Sequence, residues 1–187
     1  MIVLSHMNAG YPGKPVLRKL SLTFPDTGVV ALMAPSGYGK TTLLRILAGL
    51  LPADSGTISG IEGKKIAFLF QEDRLLPWLT AEKNVEIVSD SAMAKRWLKA
   101  MEIEDVGQYP YEMSGGMRRR VALARALAFG GDILLLDEPF KGLDEALKER
   151  VASKIRQAAP LIILSVHDRE ETELMGADVV QLDQMQK

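Results

Sequence analysis

Residues 34–42 read Ala-Pro-Ser-Gly-Tyr-Gly-Lys-Thr-Thr and directly follow the apolar run Val-Val-Ala-Leu-Met at 29–33. An apolar strand, a glycine-bearing loop and then the helical pattern of residues 43–47 are the layout of a phosphate-binding loop. Backbone N–H groups at the mouth of a helix can point at one anion, and the helix dipole adds partial positive charge there. The alternative is a glycine-rich strand-to-helix turn that binds nothing, but the Gly-Lys-Thr run in register favours nucleotide binding.

In this loop we expect Lys40 to reach the β- and γ-phosphates and the Thr41 hydroxyl to help hold Mg²⁺. One residue departs from the usual pattern, because Ala34 stands where the motif has its first glycine. The nucleotide-binding residues expected in the loop are Ser36, Gly37, Tyr38, Gly39, Lys40, Thr41 and Thr42.

The composition is that of one ordinary folded domain. The chain has 187 residues, 47% of them hydrophobic and 25% charged, with a formal net charge of −1 and no cysteine. This excludes disulfides and thiolate metal sites, and it offers no overall electrostatic attraction for nucleic acid. The local exception is the run Arg118-Arg119-Arg120, which we interpret as the polar face of a helix. No apolar run approaches the roughly 18 residues of a membrane span, and residues 1–10 lack the positive start of a signal peptide.

The order of elements predicts an α/β fold. Residues 2–8 and 17–24 are typical of strands and suggest a small antiparallel sheet before the loop. The runs at 133–136 and 161–166 are apolar without alternation, which predicts parallel strands covered on both faces. Helix-capable segments lie at 81–88, 92–101 and 117–129, so residues 72–130 are expected to form a helical insertion in a core made of 1–71 and 131–187.

Polar residues follow three of the expected strands at their carboxyl ends, where ligands bind in open α/β sheets. Gln71 follows the strand at 65–70, and His167 follows the strand at 161–166; each alone is a weak signal. Asp137 and Glu138 follow the strand at 133–136. Two adjacent carboxylates could merely cap a strand, but after a phosphate loop they predict Asp137 on the Mg²⁺ and Glu138 polarising an attacking water.

Two further features admit two interpretations each. Ser114 is a natural N-cap, so residues 114–116 could be a capped helix only, but Gly115 and Gly116 leave bare amides that suggest a second anion site. Tyr11 lies in the turn expected at 10–13. Its ring could stack on an adenine or pack on its own hairpin, and its position alone leaves both open.

Taken together, these residues resemble the nucleotide-binding subunit of an ATP-binding cassette (ABC) transporter, over nearly the whole chain. Residues 37–42 are similar to the family's Walker A loop, and residues 134–138 to its Walker B motif. Gln71 is similar to the Q-loop glutamine, residues 113–117 to the signature motif, and residues 142–144 to the D-loop. Tyr11 is similar to the adenine-stacking aromatic, and His167 to the switch histidine.

The resemblance implies a P-loop NTPase (RecA-like) core, ATP and Mg²⁺ as ligands, and a head-to-tail dimer of two such chains. Glu138, His167 and Gln71 would be catalytic, and Thr41, Gln71 and Asp137 would serve the metal. Ser114, Gly115 and Gly116 would bind the γ-phosphate of the ATP held by the partner, and Asp144 would act in the D-loop.

The resemblance also implies partners. They are a second ATPase subunit, expected to be a copy of this chain, transmembrane permease subunits and a solute-binding protein, with the ATPase peripheral on the cytoplasmic face. Residues 71–80 and the Met117-Arg118 form of the signature resemble importers of nitrate, sulfonate, taurine and related small solutes. No C-terminal regulatory domain is expected after the last strand. The alternative is a soluble ABC ATPase without a permease, and the sequence does not identify the solute.

Overall fold

A computed structural model describes residues 1–185. The strands of this range are β1 (Ile2–Tyr11), β2 (Lys14–Phe24), β3 (Gly28–Met33), β4 (Ser55–Ser59), β5 (Ile66–Leu69), β6 (Ile133–Asp137), β7 (Leu161–Ser165) and β8 (Asp178–Gln181). Its α-helices are α1 (Lys40–Leu47), α2 (Ala81–Glu86), α3 (Ser91–Ala100), α4 (Gly115–Phe129), α5 (Glu145–Ile155) and α6 (Arg169–Met175). Short 3₁₀ helices lie at Pro110–Glu112 and Leu182–Met185.

The core of the molecule is a five-stranded sheet in the order β5-β6-β7-β3-β8, and every neighbouring pair in it is parallel. All five residues of β6 and all five of β7 are buried, as the apolar runs without alternation predicted. Alternate residues serve two apolar clusters on opposite faces: Leu134 and Leu136 pack with the helices α2 to α5, and Ile133 and Leu135 pack with α1 and the antiparallel sheet. The predicted α/β architecture is confirmed.

The antiparallel sheet has the strand order β2-β1-β4. In β2 the apolar side chains Leu20, Leu22 and Phe24 are buried while the intervening polar ones are exposed, as the alternation predicted. The two-strand hairpin expected from the sequence is incomplete, because β4 pairs with β1 on the other side. Gly56 permits this pairing: it has φ 99°, and a Cβ there would lie 2.7 Å from the Met7 backbone.

Helices α2, α3 and α4 occupy the segment predicted to be a helical insertion. Each begins at a residue whose side chain accepts an N–H of the first turn, and these caps are Thr80, Asp90 and Ser114. Such caps satisfy amides that the helix itself leaves unpaired. None of the helices in residues 1–185 is long and apolar enough to cross a membrane.

The interpretation of the three arginines of α4 as a polar face was wrong. Arg119 is only 3% exposed, and the guanidinium groups of all three bind backbone carbonyls. Arg120 donates to the carbonyls of Met101 and Glu102. A guanidinium carries five donors, so it can serve several unpaired carbonyl groups at once where chain segments meet. The charge run therefore ties the helix to the rest of the fold.

Asn84 fixes the chain between β5 and α2. It is fully buried, its amide nitrogen donates to the carbonyls of Leu76, Leu79 and Thr80, and its Oδ1 accepts the N–H of Leu76 at 2.7 Å. One side chain thus contacts four backbone groups of the segment that follows Gln71, with the two amide hydrogens shared among three carbonyls.

We predict that Asn84→Ala lowers the free energy of unfolding by about 2–4 kcal/mol, because it leaves buried backbone groups without partners at about 1–3 kcal/mol each. Urea denaturation measures this. The control is Lys83→Ala on the same helix, since Lys83 is exposed and its ion pair with Glu86 is a solvent-screened surface pair that contributes little to stability. Equal losses of unfolding free energy in the two variants would contradict the role of Asn84 in fixing this segment.

Candidate functional site

The site lies at the carboxyl edge of the parallel sheet. Strands β5, β6, β7 and β3 are neighbours, and the segments after them carry Gln71, Asp137 with Glu138, His167 and the phosphate loop. A cavity of about 340 Å³ opens there. The residues that line it are Tyr11, Lys14, Val16, Ser36, Gly37, Gly39, Lys40, Thr41, Thr42, Arg45, Gln71, Glu138 and His167.

Helix α1 presents its first amides to this cavity. Among the six α-helices of residues 1–185, it alone has no side-chain cap: its N-cap is Gly39 with φ 94°, and its first turn has no acidic residue. The amides of Lys40, Thr41 and Thr42 are therefore available to an anion, and the helix dipole favours one. A Cβ at Gly39 would lie 2.5 Å from the end of the Leu17 side chain, so a larger residue would have to displace that side chain as well as adopt the left-handed φ.

Ala34 is accommodated in the loop without strain. It is not among the described residues with positive φ, so its Cβ meets no backbone penalty. Its carbonyl accepts a hydrogen bond from Lys40 Nζ at 2.5 Å. Burial lowers the pKa of Lys40, and the Glu138 and Asp137 carboxylates act in the opposite direction. Lys40 thus lies between the loop backbone and the acidic strand end.

Glu138 is the centre of a polar cluster. Gln71 Nε2 donates to Glu138 Oε1 at 2.9 Å, and His167 Nε2 also lies 2.9 Å from Oε1. Lys141 Nζ lies 3.9 Å from the other oxygen, Oε2. The Glu138 side chain is 12% exposed while that of His167 is 52% exposed. The structure therefore brings together the three residues that the sequence placed at separate strand ends.

Asp137 is buried at the end of β6 and is held by Ser165 of β7. Ser165 Oγ donates to Asp137 Oδ1 at 2.7 Å and accepts the N–H of Glu138 at 2.9 Å. The second carboxylate oxygen, Oδ2, is buried and has no hydrogen-bond partner. An unpaired buried carboxylate oxygen is a ligand that suits a hard cation such as Mg²⁺.

A cation here would need donors from outside the chain. Within the described residues, no group of three or more His, Asp or Glu side chains could hold a metal ion. Mg²⁺ is commonly bound through one or two carboxylates together with substrate phosphates and water. The donor set of Asp137 and Thr41 fits that mode, with the phosphates of a nucleotide completing the shell.

Tyr11 lies at the end of β1 rather than in a turn, because β1 extends to it and pairs it with Lys14. Its ring is 40% exposed at the cavity, and Arg45 donates to its hydroxyl at 3.0 Å. Arg45, Lys14 and Val16 line the cavity but were not predicted from the sequence. Arg45 could have been found, since it lies one helical turn after Thr41 and so on the same face of α1.

Several predicted site residues lie outside this cavity. Tyr38 is 48% exposed and Asp137 only 1%. Neither side chain lines the cavity.

The segments expected to act at a dimer interface also lie away from the cavity. Ser114, Gly115 and Gly116 form the start of α4, where the Ser114 hydroxyl accepts the N–H of Met117 at 3.2 Å, so the predicted N-cap is confirmed. Asp144 caps α5 by accepting the N–H of Leu147 at 2.9 Å. The signature and D-loop segments touch each other, since a Cβ at Gly116 would lie 2.9 Å from the Gly142 carbonyl.

Comparison with known proteins gives consistent matches. A family model described as "ABC transporter" matches residues 17–141. The aliphatic sulfonates import ATP-binding protein SsuB 1 of Pseudomonas savastanoi pv. phaseolicola is 40% identical over 171 residues, which cover 86% of this chain and 71% of that protein. The taurine import ATP-binding protein TauB of Escherichia coli O157:H7 is 35% identical over 203 residues, covering 97% and 79%.

Solved structures agree with these matches. The ATP-binding cassette MJ0796, in a dimeric post-hydrolysis state bound to ADP and Pi, superposes with a TM-score of 0.85 at 26% identity. That superposition covers 97% of this chain and 95% of the other. A second dimeric structure of the same bacterial cassette gives a TM-score of 0.84 at 27% identity. The coverage includes both sheets and the helical segment.

We predict that Ser165→Ala destabilises the fold and impairs the site together. It leaves the Asp137 Oδ1 and the Glu138 N–H buried without partners, which should lower the free energy of unfolding by about 1–3 kcal/mol. Thermal unfolding of the variant and of Ser153→Ala provides the comparison, because Ser153 is a serine on α5 whose exposed hydroxyl bonds only to the Arg150 carbonyl in its own helix. A Ser165→Ala chain as stable as Ser153→Ala would contradict the bridging role.

Proposed function

Since this chain belongs to the ABC transporter family, we propose that it energises the import of a small solute by binding and hydrolysing ATP. The chain is an ATPase of that family. The observation that best supports hydrolysis at this site is the Glu138 carboxylate, which is in contact with both Gln71 and His167 at the phosphate-loop cavity. A carboxylate next to bare amides and a lysine is suited to orient a water beside a bound phosphate.

In this proposal the phosphate loop holds ATP through the amides of α1 and through Lys40. Tyr11 stacks on the adenine and Arg45, which bonds the tyrosine hydroxyl, fixes the ring. Ser36, Gly37, Tyr38, Gly39, Thr41 and Thr42 complete the binding loop. The hydroxyl of Thr41 and the carboxylate of Asp137 serve Mg²⁺, with Gln71 at its edge, and the unpaired Asp137 Oδ2 supports this assignment. Mg²⁺ when bound neutralises charge on the phosphate oxygens.

Glu138 acts as the general base that takes a proton from the attacking water. Gln71 and His167 are proposed to orient the carboxylate and the water, because both side chains contact the same oxygen, Oε1. The exposed His167 is free to turn from Glu138 towards a γ-phosphate. The Glu138 side chain is only 12% exposed and lines the cavity, so the water that it activates would be one enclosed there with the nucleotide.

A single chain lacks part of this machinery. Ser114, Gly115 and Gly116 do not line the chain's own cavity, so we propose that they complete the cavity of a second copy in a head-to-tail dimer. The dimeric state of the MJ0796 cassettes supports this arrangement. Asp144 and the Gly142 backbone, which contacts Gly116, would lie at the same interface.

Two relatives support a proposal for the class of solute. The proteins named for aliphatic sulfonate and taurine import are 40% and 35% identical to this chain. We propose a sulfonate or a related small anion such as nitrate, with permease subunits in the membrane and a solute-binding protein as partners. The chain would lie on the cytoplasmic face. The alternative is a soluble ABC ATPase with no permease.

We predict that Glu138→Gln slows ATP hydrolysis by about 10²- to 10⁴-fold, because glutamine keeps the size of the side chain but removes the basic carboxylate. The phosphate contacts of Lys40 and the α1 amides remain, so ATP binding should survive. With ATP and Mg²⁺ the variant should therefore elute from a sizing column as a dimer that retains unhydrolysed ATP.

The double variant Glu138→Gln/Ser114→Arg is the control for the dimer. An arginine at the start of α4 blocks the surface that would meet the partner's γ-phosphate but lies outside the chain's own cavity. We expect this chain to bind ATP and stay monomeric. Hydrolysis by Glu138→Gln within a few-fold of the parent rate, or a double variant that still dimerises, would contradict the proposal.

Association with a permease is predicted to involve Trp78, which is 69% exposed in the segment after Gln71. A tagged chain purified from detergent-solubilised membranes should bring down a polytopic membrane protein, and Trp78→Ala should reduce that yield without changing the ATPase rate. Tyr111→Ala, which removes another exposed ring (74%), serves as the control. A chain recovered from the soluble fraction with no polytopic partner would favour the alternative function.

A further inference from the structure

Arg119 is a buried cation that joins two strand ends of the catalytic edge. Its side chain is 3% exposed, on the second turn of α4. One terminal nitrogen, Nη1, donates to the carbonyls of Phe70 at 2.6 Å and Gln71 at 3.4 Å, directly after β5. The other, Nη2, donates to the carbonyls of Asp137 and Glu138, the latter at 2.8 Å, at the end of β6. The guanidinium thus bridges the backbone of both catalytic segments.

The charge of Arg119 is balanced within the same cluster. Asp73 Oδ1 lies 3.3 Å from Nη1, and this aspartate is 25% exposed. A planar guanidinium holds donors in a fixed fork, whereas a lysine ammonium is a compact point charge on a flexible stem. Only the fork can serve carbonyls on two separate chain segments with nitrogens of fixed spacing.

The backbone of Glu138 requires such support. Its φ is 53°, in the left-handed region, and it precedes Pro139, a position that ordinarily favours extended backbone. A non-glycine residue in this region persists where its surroundings hold it there. Arg119 donates hydrogen bonds to the carbonyls of Asp137 and Glu138, which flank the φ and ψ bonds of Glu138. The Glu138 N–H donates to Ser165 Oγ, so the backbone is hydrogen-bonded on both sides of this residue.

Helix α4 begins at the signature segment. Ser114 is its N-cap, and Arg119 follows five residues later, which is about 7.5 Å along a helix. One rigid element therefore carries the residues proposed to meet the partner's ATP and the guanidinium that holds the chain's own Glu138.

We propose that Arg119 is a positioning residue that ties α4 to the backbone of Gln71 and Glu138 and thereby orients the catalytic carboxylate. It does not line the phosphate-loop cavity and acts through these two residues. The inference rests on the proposed function, because it concerns the hydrolysis step assigned to Glu138. It adds a residue that joins the signature helix to the catalytic glutamate within one subunit.

Arg125 offers a matched control on the same helix. It is a half-buried arginine whose nitrogens donate to the carbonyls of Asp73 and Arg74, each at 2.8 Å. It anchors the loop after Gln71 as Arg119 does, but it makes no hydrogen bond to the end of β6. The comparison of Arg119→Gln with Arg125→Gln therefore separates loop anchoring from positioning of Glu138.

The first test is hydrogen exchange without nucleotide. Arg119→Gln should accelerate exchange of the amides at 69–73 and at 137–141, whereas Arg125→Gln should do so only around 72–76. The measurement needs no ATP, so an inactive parent chain would contradict the proposed function and leave this result intact. Unchanged exchange at 137–141 in Arg119→Gln would overturn the inference.

The second test is the ATPase rate. Arg119→Gln should lower kcat by about 10- to 100-fold, since small misplacement of a reacting group costs up to about 10²-fold. ATP affinity of the monomer should stay within about twofold, because Arg119 lies outside the cavity. Arg125→Gln should keep kcat within about twofold, and Arg119→Lys should remain impaired. Full activity of Arg119→Lys, or an equal loss in Arg125→Gln, would overturn the inference.

Discussion

The parallel register of β6 and β7 is the constraint on which the site depends. In that register Asp137 pairs with Ser165, so a carboxylate and a hydroxyl meet at the last position of two buried strands. The hydroxyl then bridges the Asp137 side chain and the Glu138 amide. A shift of one residue would turn Asp137 towards the other face of the sheet and separate it from Ser165. The all-apolar strands therefore serve the chemistry by fixing where their polar ends lie.

Much of the fold could be predicted because its signals are local. A glycine loop between a strand and a helix, apolar runs without alternation and a serine before two glycines each report on neighbouring residues only. The place of the third strand in the antiparallel sheet could not be predicted in the same way. A short strand at residues 57–59 could be expected from the sequence, but its partner, β1, lies some 50 residues earlier, and its mostly exposed burial pattern carries no alternation that marks the pairing.

The site also combines residues that local sequence marks with residues that only the tertiary structure shows. Gln71, Glu138 and His167 could be proposed from their places at strand ends, but their shared contact at Glu138 Oε1 depends on the strand order. Ser165 and Arg119 were missed for a related reason. A serine within an apolar strand and an arginine within a charge run are ordinary in sequence, and their roles appear only where other segments leave unpaired backbone groups beside them. Burial of the Arg119 charge is tolerated because four carbonyls and Asp73 surround it.

Within residues 1–185, two α-helices begin beside glycines, and they differ in whether a side chain caps their first amides. Helix α1 begins at a left-handed glycine and keeps its first amides unpaired by side chains, so it is organised to receive an anion without rearrangement. Helix α4 is already capped by Ser114, and Gly116 is packed against the Gly142 carbonyl. A side chain at residue 116 would displace the D-loop before any nucleotide was present. The glycine of the signature segment therefore has a structural reason within one subunit, because only a residue without a side chain leaves room for the Gly142 carbonyl.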